Sequence, residues 1–163
     1  MLPTSNSKLA RHEDGSPCED ESTGHVAVEN RRAHLEMIQA IINRMSVNSF
    51  LLKGWSVVLV SALFALAAGD TEALFVYLAY FPAVAFWMLD GYFLWQERLF
   101  RRLYDRVRTM PEADVDFSMD TSVVRSDERG WGVVTFSKTL LIFHGTVFGS
   151  IVIVMLVIIL TKR

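Results

Sequence analysis

The sequence predicts an all-α integral membrane protein with three transmembrane helices, the first two forming a long antiparallel hairpin extended into the cytoplasm. Apolar residues make up 52% of the 163 residues and gather in blocks. The blocks cover residues 50–68, 73–95 and 139–160, which is 19, 23 and 22 residues. A helix needs about 20 apolar residues to cross a hydrocarbon core about 30 Å thick. Basic residues collect on one side of this arrangement. Soluble core helices would need further chain to cover three such blocks, and little remains.

Residues 1–28 are rich in Ser, Gly, Pro, Asp and Glu and hold no apolar run. They read as a disordered cytoplasmic tail and not as a secretory leader. The acidic patch at 13–21 is solvated in this reading, with a contact site as the alternative. Cys18 is the only cysteine, which excludes an intramolecular disulfide and a multi-cysteine metal site.

Residues 29–108 form the hairpin. "ENRRAHLEMIQAIINRMSVNSF" has no proline or glycine, and Leu35, Ile38, Ile42 and Met45 recur at helical spacing. One helix of about 40 residues, about 60 Å long, therefore runs through the first span. The connection "GDTE" is too short for anything but an antiparallel return. In the second span Pro82 frees a backbone carbonyl and kinks the helix. "QERLFRRLYDRVR" continues it, with Leu99, Phe100, Leu103, Tyr104 and Val107 on one face, for the partner helix or a second subunit. Arg98, Arg101, Arg102 and Arg106 on the remaining face are candidate contacts for anionic lipid heads, at about 1 kcal/mol per basic residue. Topology alone also calls for juxtamembrane arginines.

Eleven basic residues flank the hairpin on its open side: Arg31, Arg32, Arg44, Arg98, Arg101, Arg102, Arg106, Arg108, Arg125, Arg129 and Lys138. "GDTE" carries none. The positive-inside rule places the N-terminus and both long polar stretches in the cytoplasm of a bacterial inner membrane protein. The third span then runs outward. Lys162 and Arg163 beyond it keep a re-entrant segment open as an alternative.

Residues 109–138 form a cytoplasmic loop in which "VVTFSK" is a short strand or the start of the third helix. Asp114, Asp116 and Asp120 lack the spacing of a calcium loop. The loop reads as solvated, and as the best place for a recognition surface. In the third span "GTVFG" sets Gly145 and Gly149 four apart, a pattern that lets helix backbones approach closely.

Lys53 stands inside the first apolar block. It lies about 24 Å from the outer turn and Asp90 about 28 Å, at 1.5 Å per residue. His144, sixth residue from Thr139, enters the same layer. A lone charge at the bilayer centre costs about 2.5–3.5 kcal/mol, less near the edge. Pairing or snorkelling of Lys53 removes much of that. Ser49 and Ser56 share the Lys53 face, with Val60 and Phe64 further out. Two roles are open for this polar layer: a lock on helix register, or a gate on a water-filled path closed by apolar side chains.

No Walker, GxSxG, GxGxxG or HExxH motif occurs, so enzyme activity, a cofactor and a metal site are not expected. Two membrane helices with long cytoplasmic extensions resemble the SLATT superfamily and, more broadly, the small transmembrane effectors of prokaryotic anti-phage defence. "HLEMIQAIINRMSVNSFLLKGWSVVLVSALFALAA" and "YFPAVAFWMLDGYFLWQERLFRRLYDRVR" also resemble blocks of small bacterial membrane proteins. The likeness covers about residues 31–108, and the chain departs from it in its third span and in having no fused sensor domain. The resemblance implies a membrane effector that oligomerises and permeabilises, or forms a pore in, the inner membrane when a cytoplasmic sensor, regulator or signal triggers it. The implied partners are the lipid bilayer and further copies of the chain. The alternative is a non-conducting scaffold or accessory subunit. A small-substrate transporter fits poorly, because three helices hold no inverted repeat.

Overall fold

The computed structural model describes residues 17–70 and 73–161. Four α-helices follow in order: α1 Pro17–Asp70, α2 Ala73–Thr109, α3 Trp131–Thr135 and α4 Lys138–Thr161. Short 3₁₀ segments, Glu112–Asp114 and Thr121–Asp127, lie between α2 and α3. No strand occurs among the described residues.

Helices α1 and α2 pack side by side with their residues in opposite order. Ile38 and Ile42 meet Leu103 and Val107 in one apolar core, which Val124 of the second 3₁₀ segment completes. Val60 and Ala67 meet Val76, Ala79 and Ala83 in another, which takes in Val147 and Ile151 of α4. Alanines at the contact keep side chains short, so the backbones approach closely. The faces predicted from periodicity, Ile38 with Ile42 and Leu99 with Leu103 and Val107, are buried.

The chain covers little of its own apolar surface. Helices α1, α2 and α4 are each long and apolar enough to cross a membrane, and only 17%, 28% and 17% of their most apolar windows is buried inside the chain. Phe50, Trp55, Phe81, Ile142 and Leu160 stand exposed. A soluble monomer rarely leaves apolar patches beyond a few hundred Å², whereas helices with satisfied backbones suit lipid.

Three expectations need correction. The tail was expected to reach residue 28, but α1 begins at Pro17. A proline in the first helical position loses nothing, because that N–H has no intrahelical acceptor. Residues 1–16 of the expected tail lie outside the described residues. "VVTFSK" is not a strand, and only its last residue, Lys138, starts α4: Val133–Thr135 belong to α3, a separate helical turn, and the chain bends at Phe136–Ser137, with the Ser137 amide donating to the Val134 carbonyl. Residues 110–137 are also not simply solvated. Val124, Val134 and Thr135 are buried, and the segment lies along the hairpin as a strap. Its apolar anchors are too widely spaced to show a period, which is why composition alone gave a solvated loop. Helix α2 runs unbroken through Pro82.

Candidate functional site

The polar residues of the three long helices meet around one carboxylate. Ser49 and Lys53, four apart, share a face of α1. Asp90 on α2 is fully buried. Its Oδ1 accepts from Ser49 Oγ at 2.5 Å and from Lys53 Nζ at 2.8 Å. Its Oδ2 lies 2.6 Å from Lys53 Nζ and accepts from His144 Nε2 of α4 at 3.0 Å. Lys53 Nζ also donates to Ser49 Oγ at 2.8 Å. A carboxylate only accepts, so the His144 proton in this contact sits on Nε2.

The cluster draws donors from α1 and α4 onto α2 and ties the helices at one level. The Lys53 side chain is 22% exposed, whereas that of Asp90 is fully buried. Taking one partner away would strand a charge in a poorly solvated place. Ser56 is buried on the same face of α1, but its hydroxyl has no protein partner and does not join the cluster. His144 Nδ1 is likewise buried without a partner.

An aromatic contact links this cluster to the strap. Trp87 stacks on the His144 ring, with centroids 5.9 Å apart and planes 14° from parallel. Its indole N–H donates to the Thr135 carbonyl of α3 at 3.0 Å, and Phe136 meets it edge-on at 5.4 Å. Gly91 lets α3 come this close, because a Cβ there would overlap the Thr135 side chain. The strap has further anchors. Arg31 pairs with Glu112 at 2.8 Å. His34, buried on α1, donates from Nε2 to the Ser118 carbonyl at 3.1 Å and contacts the Phe117 ring at 5.4 Å. Phe117 has a φ of 56°, a left-handed conformation strained for a side chain of this size. Arg125 lies 5.2 Å over the Trp95 ring. Asp120 caps the second 3₁₀ segment through Ser122, whose hydroxyl first and backbone amide second hold the carboxyl below its usual value.

The glycine pair, which left open which chain supplies the partner helix, makes no close contact within this chain. A Cβ on Gly145 or Gly149 would meet nothing within 4 Å, because α4 packs through Val147 and Ile151 instead. The small-residue face points away from α1 and α2. Three of the four arginines expected to face lipid heads have carboxylate partners within the chain. Arg101 bonds Glu97 at 2.7 Å, while Arg98 and Arg102 approach Glu128 of the strap at 3.8 and 3.3 Å. Arg106 is exposed. These carboxylates neutralise charges that a count of basic residues treats as free. Glu97, Glu128, His34, Trp87, Gly91 and Thr135 were not anticipated. The one available signal was "DG" at 90–91, a glycine beside a charged residue in an apolar block. No group of three or more His, Cys, Asp or Glu is placed to hold a metal among the described residues.

No protein-family model matches the chain, and no curated protein or solved structure matches it significantly.

Proposed function

We propose that this chain is a membrane effector that assembles as a homo-oligomer and permeabilises the bacterial inner membrane when a cytoplasmic partner or signal acts on it. The observation that carries the reading is the cluster of Ser49, Lys53, Asp90 and His144, which ties all three apolar helices at one level. Buried charge inside an apolar bundle is a functional candidate by default. With Lys53 on Asp90, the charges neutralise each other. When the helices part, the same groups become wettable, next to the apolar Val60 and Phe64, and an apolar constriction beside a polar layer gates by dewetting. Trp87 touches both His144 and the strap, giving a signal at the cytoplasmic surface a contiguous route to the cluster. The open face at Gly145 and Gly149 is available to a second copy.

A second reading is favoured by one observation: the cluster is closed within one chain, as a register lock in a non-conducting scaffold would be. Purified protein in vesicles loaded with potassium separates the two. Crowding at a high protein-to-lipid ratio drives assembly in place of the signal, so the effector reading predicts potassium efflux that rises more steeply than linearly with that ratio. Efflux equal to empty vesicles at every ratio, with the protein inserted, contradicts the effector and leaves the scaffold.

A further inference from the structure

Glu128 is an acidic residue on a surface strap, yet its side chain is only 8% exposed. Two guanidinium groups one turn apart on α2 enclose it: Arg98 at 3.8 Å from Oε1, and Arg102 at 3.3 Å from Oε2. Arg101, Asp105 and these three residues line a recess of about 340 Å³. The pairing is loose. Charge-assisted N–H···O contacts close to about 2.7–2.9 Å when the geometry is good, and 3.8 Å is beyond a hydrogen bond. Two cations therefore share one carboxylate, which accepts a long hydrogen bond from Arg102 Nε at 3.3 Å and meets Arg98 only as an ion pair at 3.8 Å.

The recess also has a defined height. Arg98 and Arg102 lie about 38 and 44 Å along α2 from its first residue, Ala73, at 1.5 Å per residue. A bilayer with its headgroups is about 40–45 Å thick, so the two arginines reach the phosphate layer on the far side from the start of α2. Trp95, one turn before Arg98, is a residue type that prefers this interface. It is held under Arg125 of the same strap.

We infer that Arg98 and Arg102 form a binding site for the phosphate of an anionic phospholipid, and that Glu128 occupies it as an internal competitor. A phosphate presents several oxygens to two planar guanidinium forks and can engage both in bidentate fashion, which one carboxylate at these distances does not. Lifting residues 125–128 exchanges an intrachain pair for a lipid contact. The remaining anchors, Trp87 on Thr135, His34 on Ser118 and Arg31 on Glu112, do not involve this recess. The inference rests on the membrane placement of α2 and not on permeabilisation.

Native mass spectrometry of the full chain in detergent, with added phosphatidylglycerol or phosphatidylcholine, tests it. Glu128→Gln removes the competing charge and keeps the shape. It should raise phosphatidylglycerol retention about fivefold, the factor expected for one basic residue freed at a membrane surface, and leave phosphatidylcholine retention unchanged. Arg98→Gln with Arg102→Gln should lower phosphatidylglycerol retention to the phosphatidylcholine level, in the parent and in the Glu128→Gln background. A sizing profile identical to the parent shows that each variant is folded. Equal phosphatidylglycerol retention by parent and Glu128→Gln overturns the site. Displacement of the lipid by an equal concentration of inorganic phosphate overturns its assignment to lipid. Failure of every chain to retain either lipid overturns the membrane placement, and the site with it, without bearing on efflux.

Discussion

Removing Lys53 alone should be among the most damaging single changes in the chain. Lys53→Met leaves the fully buried Asp90 carboxylate with only Ser49 and His144 as donors. Breaking a buried ion pair from one side costs about 3–5 kcal/mol. The Lys53 side chain is 22% exposed, so the pair is partly solvated and the low end, about 3 kcal/mol, applies. Asp90→Leu leaves an ammonium that can reach outward and a buried imidazole N–H without an acceptor, at about 2 kcal/mol. With both changes no charge is stranded, and the loss falls to about 1–2 kcal/mol for the unpaired Ser49 and His144. The double variant is therefore more stable than the sum of the singles by about 3–4 kcal/mol. Reversible unfolding of the four proteins in mixed micelles, titrated with a denaturing detergent, measures each value. Single-variant losses that add to the double within about 0.5 kcal/mol would show that the two residues are not coupled.

Gly91→Val should lift α3 from α2, because the added carbons overlap Thr135. The freed Trp87 indole should then respond in fluorescence position and quenching, and an unchanged spectrum would remove α3 from the contact. Gly149→Ile should leave the monomer fold intact, since nothing within the chain lies near that site, but reduce oligomer mass by light scattering if the α4 face joins copies. Asp120 titrates below its usual 3.8 because Ser122 bonds the ionised form. A group with a depressed folded value stabilises the fold above its unfolded value and loses that contribution as pH falls through the folded one. Carboxyl NMR should therefore place Asp120 below 3.8, and Ser122→Ala should move it upward. For orientation, a cysteine at position 70 should react with an impermeant thiol reagent from the periplasm and one at 116 should not; the reverse pattern would invert the topology.

The meeting of Lys53, Asp90 and His144 followed from counting along straight helices, because a fixed rise per residue turns sequence distance into depth. Helical periodicity marked the Ile38 and Leu103 faces as packing faces but left open whether a partner helix or a second subunit covers them, and the structure brings them together. The strap yielded to neither counting nor periodicity. Its anchors join residues far apart in the chain, such as Trp87 with Thr135 and His34 with Ser118, and carry no period. Gly145 and Gly149 show a different limit: small residues allow a close approach but do not name what approaches. The arginines of α2 show another, since a sum of basic residues does not register that Glu97 and Glu128 lie against them.

Membrane potential in induced bacteria tests most directly the claim that opening depends on the charged cluster. Cells making the parent chain and cells making Lys53→Met with Asp90→Leu are compared with a potential-sensitive dye, at equal protein in the membrane fraction. The account predicts that the parent depolarises the cells and that the double variant, though inserted, does not, because the layer has lost both of its paired charges and keeps only the Ser49 hydroxyl and the His144 ring. Equal depolarisation by both proteins would contradict it.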